Sequence, residues 1–557
     1  MNRLDIFNDS TRLHAAIKRQ VEQPKECVSQ IDCENPLRTE KEEMLQGIST
    51  TFEEPDKTSK FTRQNIITEM SIDNTNRILI GLEIHVQLTS LKTKLFCGCS
   101  SDYRGKDPNT LVCPVCFGIP GALPVLNKKA VEFAVTAALA LNCNVSERMF
   151  FFRKNYYYPD MPKNFQISQY DRAGGVPLAV DGFLYIEVGR KRKKIRISRV
   201  HLEEDPGRLV HLGPIDQSPY TLVDYNRSGI ALLEVVTDPD FNSQKEARIF
   251  LQKLRSILEH LGIFDGGLEG AMRCDANISL AGGTRVEIKN ISSFKEVERA
   301  LSFEIMRQKD LLEKGLAVER ETRHWDETRR ITITLRTKEE EHDYRYFPEP
   351  DLVPIVITKD FIKKIEEKMP ELPEARIERF TTTYNIPKYD AEVLVGDKAL
   401  ADFFERCLEL CNKPKEVSNW MMSDLLRCLY ENNLELSESK ITTEHLVEMI
   451  RLIDEGTISG KIGKRILPEM VLTGRRPWQI IEEKMLVKIA SREALEKTVN
   501  RVFKKNPKAV KDALLDEKAV HFLVGQLMKA TKGKADPELA NQIIRERLES
   551  IKAKESP

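Results

Sequence analysis

No stretch of this 557-residue chain approaches the roughly 18 consecutive apolar residues that cross a bilayer, and the first residues lack the apolar segment of a secretory signal. The expectation is a cytoplasmic protein with no membrane partner. Net charge is missing as well: 86 Lys and Arg balance 86 Asp and Glu. No overall field advertises nucleic acid, so any basic surface must be local. Internal repeats and low-complexity tracts are also absent. Cysteine occurs 11 times, an odd count spread over a long chain, which does not read as the disulfide framework of a small secreted domain. Four of the cysteines are clustered, and the others read as reduced, buried thiols.

A chain of this length exceeds what one core organises, and two to four domains are expected. Residues 1–75 carry fourteen acidic against ten basic residues, with few aromatics and no sustained apolar period, as in a poorly ordered extension. Such acid content argues against an organellar transit peptide, and Met70, just before the first strand pattern, would serve as an alternative start. Residues 76–365 mix short strand patterns with turn residues and helices such as 128–141 and 244–260, which reads as α+β with a largely antiparallel sheet. From 366 to 480 the apolar spacing is helical, as in 397–410 and 420–430. Residues 481–557 are helical and Lys-rich, with nine Lys and Arg against three Asp and Glu in 501–535.

What is present is chemistry on strands. In GLEIHVQL (81–88) polar residues alternate with Leu, Ile and Val, so Glu83 and His85 share one strand face. The spacing recurs in Arg199–Glu203, in Asp275-Ala276-Asn277 and in Glu287-Ile288-Lys289. A carboxylate and an imidazole on one face suit a divalent cation, and oxygen-rich surroundings favour magnesium or manganese together with phosphate. One such segment alone would read as an ordinary sheet with its polar face in water; four point to a nucleotide-dependent enzyme. Cys97-Gly98-Cys99 and Cys113-Pro114-Val115-Cys116 make two close pairs, the donor set of a closed, structural zinc site. Cations and aromatics are interleaved from Phe152 to Tyr170. That composition fits a loop contacting phosphates or stacking bases, and equally an aromatic-packed loop with solvated lysines.

Long ordered motifs carry a resemblance: GLEIHVQL (81–88), NTLVCPVCFGIPGALPVLN (109–127), RKNYYYPDMPKNFQISQY (153–170), RVHLEEDPG (199–207), DYNRSGIALLEVVTDPD (224–240), MRCDANIS (272–279), RVEIKN (285–290) and DYRYFPEPDL (343–352). Over residues 76–557 the chain resembles the B-subunit family, GatB, of the aspartyl/glutamyl-tRNA amidotransferases, and GTISGKIGKRILPEM (456–470) resembles the YqeY-like C-terminal module of that family. Some wording, such as EGAMRCDANIS, has an archaeal flavour.

The resemblance implies an antiparallel catalytic cradle related to glutamine synthetase and guanidino kinases, followed by an all-α helical domain and an all-α YqeY-like, tRNA-binding tail over 481–557. It implies ATP and Mg2+ as cofactors. The side-chain carboxylate of Glu-tRNA(Gln) or Asp-tRNA(Asn) would be phosphorylated, and ammonia from an amidase A subunit, assembled with a small C subunit, would displace the phosphate. Glu83, His85, Glu204 and Glu234 would hold magnesium. On a regular strand Glu203 rather than Glu204 shares the face of His201, so Glu204 requires a bulge. Arg153, Lys154, Arg227 and Lys289 would neutralise phosphate charge, since phosphoryl transfer rests on positioning and electrostatics. Asp275, Asn277 and Glu287 are further nucleotide or metal contacts, or else structural polar groups of the sheet. Lys154 and Lys163 would line an ammonia passage. The rival readings are the archaeal E subunit, whose inserted domain has no room after DYRYFPEPDL, and a non-catalytic, zinc-containing RNA-binding adaptor.

Overall fold

The computed structural model describes residues 77–555 apart from 173, 212–217, 281–282, 338–343, 485, 487–491, 515, 532–534 and 536; the reading of 1–75 as an extension therefore falls outside the described residues. In chain order the strands are β1 (Ile78–Gln87), β2 (Asn144–Val145), β3 (Arg148–Met149), β4 (Phe152–Asn155), β5 (Phe165–Ser168), β6 (Ala179–Val188), β7 (Lys191–Glu204), β8 (Arg208–His211), β9 (Thr221–Asp224), β10 (Ala231–Thr237), β11 (Met272–Leu280), β12 (Val286–Ile291), β13 (Glu321–Asp326), β14 (Ile331–Thr337), β15 (Phe347–Pro348) and β16 (Ile355–Val356). Nine of them form one sheet in the order β14-β13-β12-β11-β1-β10-β7-β6-β2. All its neighbours are antiparallel except β12 and β13. A smaller sheet, β15-β4-β5, sits beside it, with β5 packed against β7.

The alternation in β1 decides which face is which. Ile80, Leu82, Ile84 and Val86 are buried on one side, where each contributes about 1.5–3 kcal/mol through removal from water. Helices α1 (Lys128–Ala140), α2 (Gln244–His260) and α3 (Phe294–Glu313) cover that side and share its core, through Val131 and Val135, Phe250 and Leu254, and Val297 and Leu301. Each helix starts at a side-chain cap, Asn127, Ser243 or Ser293, whose oxygen accepts from a first-turn backbone amide. With all three helices on one face, the other is left to polar residues.

The C-terminal region is helical. Asp397 caps Lys398–Leu410, whereas the pattern over 420–430 is interrupted: a π-turn at Met421–Leu425 separates Pro414–Trp420 from Leu426–Glu431. The helices build two apolar clusters, one from Phe380 to Leu486 and one from Leu495 to Leu548. The architecture is thus α+β with a large, mostly antiparallel sheet and a helical C-terminal region. Among the described residues no helix is long and apolar enough to cross a membrane.

Candidate active site

The strand register brings the polar segments into one place. His85 on β1 lies opposite Glu234 on β10 and Arg273 on β11, and Glu234 lies opposite His201 on β7. Glu83 faces Asp275, Asn277 faces Glu287, and Glu287 faces Thr322 on β13. Of these, Glu83, His201, Glu234, Asn277, Glu287 and Thr322 floor a cleft of about 590 Å³, walled by Lys154 of β4, Ser168, Tyr170, Tyr344 and Tyr346.

At its centre one ligand atom each from Glu83, His85 and Glu234 lies within 4.8 Å of the others. His85 Nε2 is 3.6 Å from Glu83 Oε1, 3.7 Å from Glu234 Oε2 and 3.9 Å from Glu203 Oε1. Burial disfavours the imidazolium, but contact with Glu234 and the charges of Glu83 and Glu203 outweigh it and lift His85 to about 9. Burial and the nearby Glu234 charge push Glu83 up, and they raise Glu203 to about 7. Glu234 itself is held low: burial opposes its charge, while His85, His201 and Arg199 favour it. Burial lowers His201 to about 4, and its Nε2 has no hydrogen-bond partner among the described residues. Converging carboxylates around a single imidazole are a donor set that fits a hard divalent cation.

Two cations adjoin the cluster. Lys289 Nζ lies 3.0 Å from Asp275 Oδ2 and 3.4 Å from Glu287 Oε1; burial would lower it, yet those carboxylates raise it. Lys154 is likewise held protonated against burial by Tyr346 and Glu203. Its Nζ sits 5.0 Å over the Tyr344 ring, a cation–π contact, and Tyr346 stacks on Tyr170 with centroids 4.3 Å apart.

Three expected residues are not brought to the cluster. Glu204 needed a bulge, but β7 and β10 pair without interruption from Glu204–Ala231 to Arg199–Val236, and the register shift lies beyond, at Val236/Thr237. Glu204 therefore points to the other side. Its Oε1 pairs with Lys163 Nζ and accepts from Ile167 N at 2.8 Å. Arg153 is turned away from the cleft in a bidentate pair with Glu349, both bonds 2.8 Å, and a 3.0 Å bond to Asp351. Arg227 donates to the carbonyls of Pro206 and Gly207 at 2.9 and 2.7 Å, so it fixes a loop. Lys163, committed to Glu204, is likewise outside the cleft.

Conversely, Tyr344 and Tyr346 enter the site from DYRYFPEPDL without having been assigned a role; their alternation with Arg345 opposite the cations of β4 was the available signal. Further along the polar face, Asp205 accepts from Gln87 and Arg273, both at 2.6 Å, and Arg104 donates to Gln87 at 2.6 Å. That network joins residues more than 100 positions apart, and no local pattern marked it.

The sulfurs of Cys97, Cys99, Cys113 and Cys116 also lie within 4.8 Å of one another. Cys99 Sγ is 4.0 Å and Cys113 Sγ 3.8 Å from Cys116 Sγ. Tetrahedral Zn–S bonds of ~2.3 Å set the sulfurs about 3.8 Å apart, so the cage fits zinc. The fully buried Lys94 braces it, donating to Leu111 O at 2.9 Å and approaching Cys116 Sγ at 3.6 Å. None of the described cysteines forms a disulfide.

Sequence comparison gives this geometry a context. The GatB/GatE catalytic domain matches residues 78–363 and the GatB domain residues 402–548, the latter running across both C-terminal apolar clusters. The chain is 52% identical over 472 residues, covering 85% of it and 99% of the relative, to the B subunit of the aspartyl/glutamyl-tRNA(Asn/Gln) amidotransferase of Saccharolobus solfataricus. It is 51% identical over 482 residues, again 85% of the chain and 99% of the relative, to the protein of that name from Thermotoga petrophila. Archaeal and bacterial relatives thus match about equally.

Proposed function

Because the chain belongs to the family of aspartyl/glutamyl-tRNA(Asn/Gln) amidotransferase B subunits, we propose that its polar cleft activates the side-chain carboxylate of Glu-tRNA(Gln) or Asp-tRNA(Asn) with ATP. The observation that carries this reading is the convergence of Glu83, His85 and Glu234 at a cleft that Glu83, Glu234, Lys154 and Lys289 line together. A carboxylate is a poor acyl donor because oxide would have to leave. Attack of its oxygen on the γ-phosphorus, with ADP departing, makes an acyl phosphate; ammonia then attacks the acyl carbon and inorganic phosphate leaves.

Glu83, His85 and Glu234 would hold a magnesium ion, with Glu203 facing the same point in place of Glu204. Bound there, the metal supplies charge neutralisation for the transferring phosphoryl group. Lys154 and Lys289 stand on either side as fixed, protonated cations and orient phosphate oxygens, the positioning role that dominates this chemistry. The tyrosine wall excludes water from the reacting carboxylate. A cradle kinship with glutamine synthetase and guanidino kinases accords with nucleotide and metal on the polar face of an antiparallel sheet.

The four cysteines would carry a structural zinc. Ammonia would come from an amidase A subunit assembled in the cytoplasm with this chain and a small C subunit, and the Lys163–Glu204 pair would line part of its path. The test is amidation of both misacylated tRNAs by the reconstituted complex. Amide formation that needs ATP and Mg2+ supports the reading; amide formation without ATP, or none from either tRNA, overturns it.

A further inference from the structure

The β6–β7 hairpin carries a feature that the cleft chemistry does not use. From Gly189 to Arg199 the sequence GRKRKKIRISR has seven cations and no acid. Some of them anchor the hairpin. Lys193 donates to Asn242 at 2.6 Å and to Glu246 at 2.7 Å, and Arg196 makes a bidentate pair with Asp240, at 3.0 and 2.7 Å. Arg190, Lys191, Arg192 and Lys194 are exposed, and no carboxylate reaches them among the described residues. Two are held in place by rings: the Arg192 guanidinium lies 3.9 Å over Tyr185, and Lys194 Nζ lies 4.1 Å over Phe183. The acid directly opposite Arg192, Glu187, lies 3.4 Å from Lys388.

This row belongs to the same sheet face as the cleft. Ile195, Ile197, Val200 and Leu202 point into the core, and the extra residue between Ile197 and Val200 is a bulge, marked by the shift from Arg199–Val236 to Ile197–Thr237 pairing with β10. Arg192, Lys194 and Arg196 on one side of it, and Arg199, His201 and Glu203 on the other, therefore all face away from the helices. Nine residues of strand separate Arg192 from His201, about 30 Å at ~3.3 Å per residue.

We propose that this hairpin is a contact site for the phosphate backbone of the tRNA whose aminoacylated end occupies the cleft, an inference that rests on the function proposed above. Rigid, unpaired cations clamped on aromatic rings suit a polyanion. Their row leads into the cleft, so a nucleic acid with its end at Glu234 and His85 passes over it. A membrane surface would call for an apolar wedge, and the two rings here are covered by cations.

The variant R190Q/K191Q/R192Q/K194Q keeps a polar side chain at each position and removes four charges. In the assembled amidotransferase, binding of unacylated substrate tRNA should weaken at least tenfold at 100 mM salt. The slope of log K against log salt should become shallower by up to about 3.6, at roughly 0.9 for each of four lost phosphate contacts. Melting temperature and kcat at saturating tRNA should stay within error and within twofold. Unchanged affinity and slope with normal amide formation would overturn the hairpin site and leave the function intact. Loss of a partner subunit on gel filtration with RNA affinity unchanged would also overturn it, making the hairpin a protein-docking edge. Absence of ATP-dependent amidation by the unsubstituted enzyme would instead remove the function on which the site rests.

Discussion

Glu203 and Glu204 are adjacent, yet their carboxylates serve opposite sides of one strand: Glu203 accepts from Ser168 Oγ at 2.6 Å and faces His85, while Glu204 pairs with Lys163. The two should fail differently when made Gln. Glu203→Gln should weaken the apparent Mg2+ affinity in amide formation, raising the half-saturating concentration at least tenfold, with little loss of stability. Glu204→Gln should leave that dependence intact and cost about 3–5 kcal/mol in urea unfolding, because a buried Lys163 loses its counter-charge. Reversal of the pattern would restore Glu204 to the metal side.

Glu83 and His85 reach the cluster from one strand face, so neither can be replaced by its neighbour. Glu83→Ala or His85→Ala should lower ATP-dependent amide formation more than about a hundredfold, since each helps stabilise the transferring phosphoryl group. Filter binding of tRNA should change by less than threefold. Near-normal amidation by either variant at low Mg2+ would place the metal elsewhere.

What was legible in the sequence follows from range. Alternation is local, so β1, the buried Ile80–Val86 face and the partnership of Glu83 with His85 were readable from eight residues. Alternation was also right about Glu203, where the position carried over from the family pointed to Glu204. Arg153 and Arg227 take partners away from the cluster, and a cation beside a site motif does not reveal its partner. Glu349 and Asp351 lie almost 200 residues from Arg153, and Arg227 is held by the backbone carbonyls of Pro206 and Gly207, which carry no side-chain charge to mark them as its partners. The interruption at Met421–Leu425 was invisible for a related reason: a π-turn keeps the apolar spacing nearly intact.

The cysteine cage gives a metal prediction. Replacing Cys113 and Cys116 with Ser should remove one zinc per chain by elemental analysis and lower the melting temperature by several degrees, because a structural zinc contributes folding free energy directly. Protein purified without chelator that contains no zinc would contradict it.

Asp205 gives a pH prediction. Burial by itself would raise its carboxyl, but the charges of Arg273 and Arg227 and the hydrogen bond from Gln87 hold it below its ordinary value of 3.8. A depressed carboxyl stabilises the fold fully above that ordinary value and loses the effect only as pH falls through the lower, folded value. Asp205→Asn should therefore cost a constant increment from pH 8 to pH 5 and a shrinking one only below pH 3.8. The increment should be roughly 2–3 kcal/mol, below the 3–5 expected when both partners are sealed off, because a quarter of the Arg273 side chain remains exposed, at 25%. A stability gap between the two proteins that closed between pH 7 and pH 5 would be inconsistent with a depressed carboxyl.

The Lys-rich C-terminal helices supply the last prediction. They have their own apolar cluster, built from Leu495, Val499, Leu523, Leu527, Ile543 and Ile544, so their outer surface is free to serve another purpose. Lys504 and Lys505 end the helix Arg492–Lys505, Lys508 and Lys511 lie on the next, Pro507–Ala513, and all four are exposed. Four cations within eight residues suit nonspecific contact with a phosphate backbone, and this stretch lies within the GatB domain match. Truncation after residue 480 should raise the KM for aminoacyl-tRNA and flatten the salt dependence of binding, while ATP and metal dependence persist. Changing the four lysines to Gln should reproduce most of that effect without loss of the helices, which circular dichroism would confirm. If only the truncation acts, the tail contributes shape rather than charge; if neither does, these lysines are a solvated helical face.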